Sequence, residues 1–251
     1  MSKKHILITN DDGIRAEGIT QLTELLADKY RLTVVAPEYP QSGKSHSITT
    51  TRGLRIDKQE HFNGHLRYSV HGTPADCVKI AIQCILEEKP DILISGINDG
   101  TNTGNSAFYS GTVGAALEGA FFNIPSIAFS LCTGKTETKH FRNSDKEIIE
   151  IIEKVLCKFS HQSCCFNVNI PNIEKIKGYK LCRQTKGVWK EKFKKTTDDE
   201  GNVSFWLKGD YINEEPYAVD TDEWAVNNEY IAMVPLTIDL TNTKLLNELL
   251  K

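Results

Sequence analysis

Along this chain, short continuous apolar runs alternate with stretches whose apolar residues recur at helical spacing. The first run is His5–Thr9 (HILIT), and unbroken apolar character between turn signals predicts a strand covered on both faces. In residues 17–29, Ile19, Leu22, Leu25 and Leu26 share one helical face, and residues 31–36 (RLTVVA) return to β-branched composition. The three segments make a β-α-β unit with connections of ordinary length.

Residues 37–47 are polar and read as a loop. Two strands, 48–56 and 66–70, are expected around the Asn63-Gly64 turn, a hairpin signal. Thr73 and Pro74 then suit an N-cap and a first helical position, and Cys77, Ile80, Ala81, Cys84 and Ile85 form one stripe expected to be buried. A strand at 91–95 (DILIS) precedes a long loop, 96–111, rich in Gly, Asn, Ser and Thr. A small-residue helix over 111–122 and a strand over 126–131 follow. Residues 143–159 are amphipathic, with Ser144 and Glu147 spaced for a capping box, and 164–170 is a further strand.

The pattern changes over 180–216, which is polar yet carries Trp189, Phe193, Phe205 and Trp206 around a turn at 198–202. An extended hairpin leaving the body is expected there. Strand character returns over 230–239 and a closing helix over 241–250; no internal repeat is present. The organisation is therefore a core over 1–179, an arm over 180–216 and a segment over 217–251 returning to the core. Strands alternating with helices imply an α/β fold with a mostly parallel sheet covered on both faces, whose ligands bind outside the carboxyl ends of the strands.

That rule directs attention to the loops after three strands. In the first, Asp11 and Asp12 stand side by side before Gly13. Adjacent carboxylates are costly unless a cation or a proton shares them, but an Asx turn with solvated acids fits the same residues. In the second, Ser42 and Gly43 could reach a metal or a phosphate, or belong to an ordinary polar loop; no Walker motif accompanies Lys44. The third contains Asn98, Asn102, Ser110, Gly111 and Thr112, the last three opening a helix whose free N–H groups would suit an anion. A glycine-rich structural turn is the plain alternative. His46 reads as a solvated loop residue, His61 and His65 as surface residues flanking a turn, and Tyr109 as either a packed ring or a stacking surface for a base.

Composition adds exclusions. With 251 residues and a net charge of −3, nothing marks the chain for polymeric nucleic acid or a membrane. No apolar run reaches the ~18 residues of a span, and the N-terminus does not read as a secretory leader. The seven cysteines lack a C-x-x-C pair and read as buried free thiols, so the cytoplasm is the expected compartment.

The residues then resemble a known family. ITNDDG (8–13), VVAPEYPQSG (34–43), GTPADCV (72–78), SGIN…YSGTVGAALEG (95–119), NVNIP (167–171), TDEWAV and VPLTIDLT (234–241) are similar to the SurE survival-protein family of metal-dependent 5′/3′-nucleotidases over nearly the whole chain. The resemblance implies a Rossmann-like three-layer α/β/α sandwich with a protruding β-hairpin arm used for oligomerisation, giving a homodimer or homotetramer. It implies one divalent ion, Mg²⁺ or Mn²⁺, held by Asp11, Asp12, Ser42 and Asn98, with Asp11 and Asp12 serving catalysis. Gly43, Asn102, Ser110, Gly111 and Thr112 would lie around the phosphate of a nucleoside monophosphate attacked by metal-activated water. Polyphosphate or other small phosphomonoesters are alternative substrates, and a non-catalytic nucleotide-binding regulatory module is the alternative outside enzymes. A haloacid-dehalogenase-like route needs an acid two residues after the nucleophile, where Gly13 stands instead.

Overall fold

A computed structural model describes residues 3–59, 64–134, 138–160 and 162–251. Strand β1 (His5–Thr9) leads into helix α1 (Glu17–Ala27) and strand β2 (Arg31–Pro37). Strands β3 (Ile56–Lys58) and β4 (Leu66–Val70) precede helix α2 (Pro74–Ile80), which continues as a π-helical turn, Ala81–Ile85. Next come β5 (Ile92–Asp99), α3 (Gly111–Phe121), β6 (Ser126–Cys132), α4 (Asp145–Phe159) and β7 (Cys165–Pro171). The chain ends with β8 (Tyr179–Leu181), β9 (Gly187–Thr197), β10 (Val203–Asn213), α5 (Asp222–Asn227), β11 (Ile231–Leu236) and α6 (Thr243–Leu249).

Nine strands form one sheet in the order β3-β4-β2-β1-β5-β6-β7-β11-β8. From β4 through β7 the neighbours are parallel, whereas β3 against β4 and β11 against β7 are antiparallel. The alternation of strand side chains divides the core. Ile6 and Ile8 join Ile19, Leu22 and Leu26 of α1 and Ile148, Ile152 and Val155 of α4 on one face, while Leu7 joins Val78 of α2 and Ala115 of α3 on the other. The α/β/α sandwich follows from that alternation. β9 and β10 form a separate two-stranded sheet, the arm.

The chain order places a switch point in the sheet. β1 is followed outward by β2 and β4 on one side and by β5, β6 and β7 on the other. The crevice between the ends of β1 and β5 is where such sheets bind ligands.

Several expected elements differ. Of the strand expected over 48–56, Ile56 alone lies in a strand; the Thr49 N–H is met by Asp76 Oδ1 at 3.0 Å rather than by a ladder. The β3–β4 pairing is a hairpin, but Asn63 and His61 of the expected turn lie outside the described residues. The loop expected from residue 96 begins later, because β5 continues alongside β6 after a register shift, with Asn98 opposite Ser130. The capping box at Ser144 does not form: a 3-10 turn, Phe141–Ser144, precedes α4, and the Ser144 hydroxyl donates to the Phe141 carbonyl at 3.4 Å. Thr73, by contrast, closes a full capping box with Asp76. Cys84 and Cys157 are exposed thiols, since the π turn rotates Cys84 off the buried stripe. Strand β8 pairs with β11 inside the main sheet, and the arm strands run from Gly187 to Asn213. Helix α5 was not expected at all.

Candidate active site

Asp11 and Asp12 leave the end of β1 in a turn that Asn10 holds on both sides. Its Nδ2 donates to the Gly13 carbonyl at 2.9 Å, and its Oδ1 accepts the Gly13 N–H at 3.2 Å. Gly13 has φ +99°, a conformation that favours glycine. The first loop is thus a turn held by Asn10, as one reading of the sequence has it, but Asp11 in it is buried rather than solvated.

Asp11 is buried against the start of α3. Thr112 donates its hydroxyl to Asp11 Oδ1, and backbone groups of Gly111 and Thr112 also bond the carboxylate. Burial nevertheless raises the Asp11 pKa above its ordinary value, these hydrogen bonds offsetting it only in part. Gly111 has no room for a side chain, since a Cβ would come within 2.9 Å of Asp11 Cβ and 3.1 Å of Pro74 Cγ. The helix N-terminus can therefore press directly on the acid.

Asp12 accepts the Asp99 N–H at 2.9 Å, joining the end of β1 to the end of β5. Burial pushes its pKa up to about 6; the Asp99 N–H and Lys139 work against that rise, Asp11 and Asp99 with it. Lys139 pairs with Asp99, and among the described residues neither Asp11 nor Asp12 has an ion-pair partner. Two acids whose charges are opposed by burial and by each other's proximity are what a cation would relieve.

Asp11, Ser42, Gly43, Asn98, Asn102 and Ser110 line one cleft of about 260 Å³ at the carboxyl edge of the sheet. Of the sequence-derived residues, these six line the cleft, whereas Asp12, Gly111 and Thr112 lie outside its lining. Asn98 Nδ2 donates to the Gly100 carbonyl at 2.8 Å, so its amide oxygen is the group it can present. Asn102 is set from below: its Nδ2 donates to Ser130 Oγ at 2.9 Å, its N–H to Asn169 Oδ1 at 2.9 Å, and its carbonyl accepts from Asn167 Nδ2 at 2.8 Å. Ser110 Oγ caps α3 by accepting the Val113 N–H at 3.1 Å. Ser42 and Gly43 sit on an exposed loop, Gly43 with φ +72°.

That loop is moored to α3. Ser45 donates its N–H to the Tyr109 carbonyl at 3.1 Å and its hydroxyl to the Phe108 carbonyl at 2.6 Å. His46 is not a solvated loop residue: its Nε2 bonds buried Glu118 at 2.8 Å and its ring stacks on Phe121. Burial alone would raise the Glu118 pKa, but the bonds from His46 and Lys79 outweigh it and hold the carboxyl low. His65 is likewise no free surface residue, since its ring nitrogens meet the Leu32 N–H and the Ala27 carbonyl, both at 3.1 Å.

The donor set fits a hard divalent ion. Two carboxylates, a hydroxyl and an amide oxygen suit Mg²⁺ or Mn²⁺. Among the described residues no group of three or more His, Cys, Asp or Glu side chains could hold a metal, so the thiolate- and imidazole-rich sets preferred by softer ions are not in evidence.

Sequence reasoning missed Asn167, Asn169 and Asp222. Asn167 and Asn169 alternate along β7 and point polar groups at the loop above the sheet, a period-two polar signal inside an apolar strand. Asp222 is fully buried and accepts the Gly104 N–H at 2.9 Å and the Thr185 N–H at 2.9 Å.

The chain as a whole is similar to known proteins. A family model described as "Survival protein SurE" matches residues 6–191. A Cytophaga hutchinsonii protein named 5′-nucleotidase SurE is 41% identical over 252 residues, spanning 99% of this chain and 96% of that protein. One from a Thermoanaerobacter species, with the same name, is 43% identical over 243 residues, spanning 96% and 95%. The crystal structure of SurE protein from Aquifex aeolicus superposes with a TM-score of 0.81 at 40% identity, covering 97% of each chain.

Proposed function

The chain belongs to the SurE survival-protein family, and from that premise we propose that it is a 5′-nucleotidase hydrolysing nucleoside monophosphates to nucleoside and phosphate with one divalent ion. The observation that carries the reading is the meeting of Asp11 with Asn98, Ser42 and Ser110, the N-cap of α3, in a single cleft.

Asp11, Asp12, Ser42 and Asn98 would hold the ion, Mg²⁺ or Mn²⁺. Bound there, it would supply Lewis acidity to the phosphoryl oxygens and lower the pKa of water. The chain's own groups do the rest. The Ser110 hydroxyl at the start of α3, the Gly43 N–H and the Asn102 side-chain amide would orient the phosphoryl group, favouring charge that grows on its oxygens. The Thr112 hydroxyl and the Gly111 backbone keep Asp11 in place beside the phosphate. With Gly13 where a second acid would be needed, direct attack by water fits better than an aspartyl-phosphate.

We further infer that the protein acts in the cytoplasm and assembles through its arm into a homodimer or homotetramer. No described helix is long and apolar enough to cross a membrane. Phosphate release measured on nucleoside 5′- and 3′-monophosphates, polyphosphate and simple phosphomonoesters tests the reading. Turnover greatest on 5′-monophosphates is expected; nucleotide binding without turnover would indicate a regulatory module instead.

A further inference from the structure

The phosphate cleft does not end at the phosphate residues. A second hollow, of about 490 Å³, adjoins it and shares Asp99, Gly100, Thr101, Ser106 and Trp189 with it. Its outer wall is made by Tyr211 and Glu223. Trp189 is thus the one arm residue common to both spaces.

The arm root is fixed there by a dense set of bonds. Asp222 accepts Gly104 N–H on one carboxylate oxygen and both the N–H and the hydroxyl of Thr185 on the other. Gln184 Nε2 donates to the Gly104 carbonyl at 2.9 Å, and Asn105 Nδ2 donates to the Gly187 carbonyl. Trp189 lies opposite Tyr211 in the arm register, their rings edge to face at 5.7 Å. Its indole remains 39% exposed, so it keeps open surface after that contact. Glu223 Oε2 accepts from Asn213 Nδ2 at 2.6 Å, which orients a carboxylate at the far wall.

A phosphoryl group at Asp11 and Ser110 leaves the rest of its ester in need of a neighbouring space. Another hollow beyond Ser110, also about 490 Å³, is lined mainly by apolar residues such as Val113, Leu117 and Leu236, and of the cleft residues it includes only Ser110. The arm-side hollow is the one continuous with the cleft through five shared residues, and it offers an aromatic face and a hydrogen-bond acceptor, two features a nucleoside uses.

Resting on the nucleotidase reading, we propose that the arm-side hollow is the nucleoside subsite, with Trp189 as the stacking platform for the base and Glu223 as an acceptor for its hydroxyl or amino hydrogens. The arm then belongs to substrate recognition as well as to the protein's outline.

The test compares full-length wild type with Trp189→Phe, which keeps a ring, and Trp189→Leu, which keeps bulk against Tyr211 without one. The readout is the ratio of kcat/KM for AMP to that for ribose 5-phosphate, which lacks the base. Trp189→Leu should lower this ratio about tenfold, mostly through KM, and Trp189→Phe should restore most of it. Equal losses on both substrates, or an unchanged ratio, would overturn the proposal. Calorimetric binding of adenosine, which carries no phosphate, separates this failure from failure of the nucleotidase reading. Adenosine should bind wild type and Trp189→Phe but weaken about tenfold with Trp189→Leu, whether or not any nucleotide is hydrolysed. Equal adenosine binding by all three, or none by wild type, would rule the subsite out.

Discussion

Asp11 and Asp12 are neighbours in sequence but are held in different ways. Asp11 is locked under α3 by Thr112, whereas Asp12 bridges to β5 through the Asp99 N–H. Both carry charge at a cost, since burial raises the pKa of each. Asp11→Asn and Asp12→Asn keep the side-chain size while removing a negative ligand. Each should lower kcat/KM by roughly 10²-fold or more, the loss of several kcal/mol of transition-state stabilisation. Melting temperature in EDTA should hold or rise, because the costly charge is gone; steady-state kinetics and thermal unfolding check the two halves. At this scale the acids were legible because they end an apolar run. His46 and His65 were misread because their partners, Glu118 and the Leu32 and Ala27 backbone, lie far along the chain. No local spacing announces such contacts.

Helix α3 shows how an element positions a site. Its small residues let it lie close to both the sheet and the second loop. A Cβ on Gly114 would come within 2.7 Å of the Ser45 carbonyl and 2.9 Å of His46 Cα. In an open helix Gly→Ala gains about 1 kcal/mol. Here the added methyl overpacks the junction, typically a cost of about 1–3 kcal/mol. Gly114→Ala should therefore lose stability rather than gain it, and should raise KM by moving Ser42 and Gly43. Chemical denaturation and kinetics on one sample measure both. The period-3.6 and alternating patterns made the central strands and helices readable. What stayed hidden was set by partners: β5 extends to Asp99 because β6 runs beside it, and Ser144 fails as a cap because it lies in a 3-10 turn. Helix α5 is too short for its pattern to stand out, although Thr221 caps it by accepting the Trp224 N–H.

The whole molecule carries an arm that cannot be stable as an isolated two-stranded hairpin in water. Phe193, Phe205, Trp206 and Leu207 are all more than half exposed on it, and helix α6 buries none of its residues. Exposed aromatics at this density fit an interaction surface, and a second copy is the simplest occupant. The arm was readable from its polar strands and aromatics; its fastening at the root through Asp222 was not. Replacing 189–206 with a short Gly-Ser link should give a folded species of lower mass by light scattering than the wild type. Two monomers would give the arm another purpose, and two oligomers of equal size would place the interface elsewhere.

The proposed function turns on a cation shared by Asp11 and Asp12, and metal removal tests that proposal most directly. Phosphate release from a nucleoside 5′-monophosphate should vanish after exhaustive EDTA treatment and dialysis, and should return when Mn²⁺ or Mg²⁺ is added back. Full turnover by a sample shown by elemental analysis to contain no metal would contradict the account.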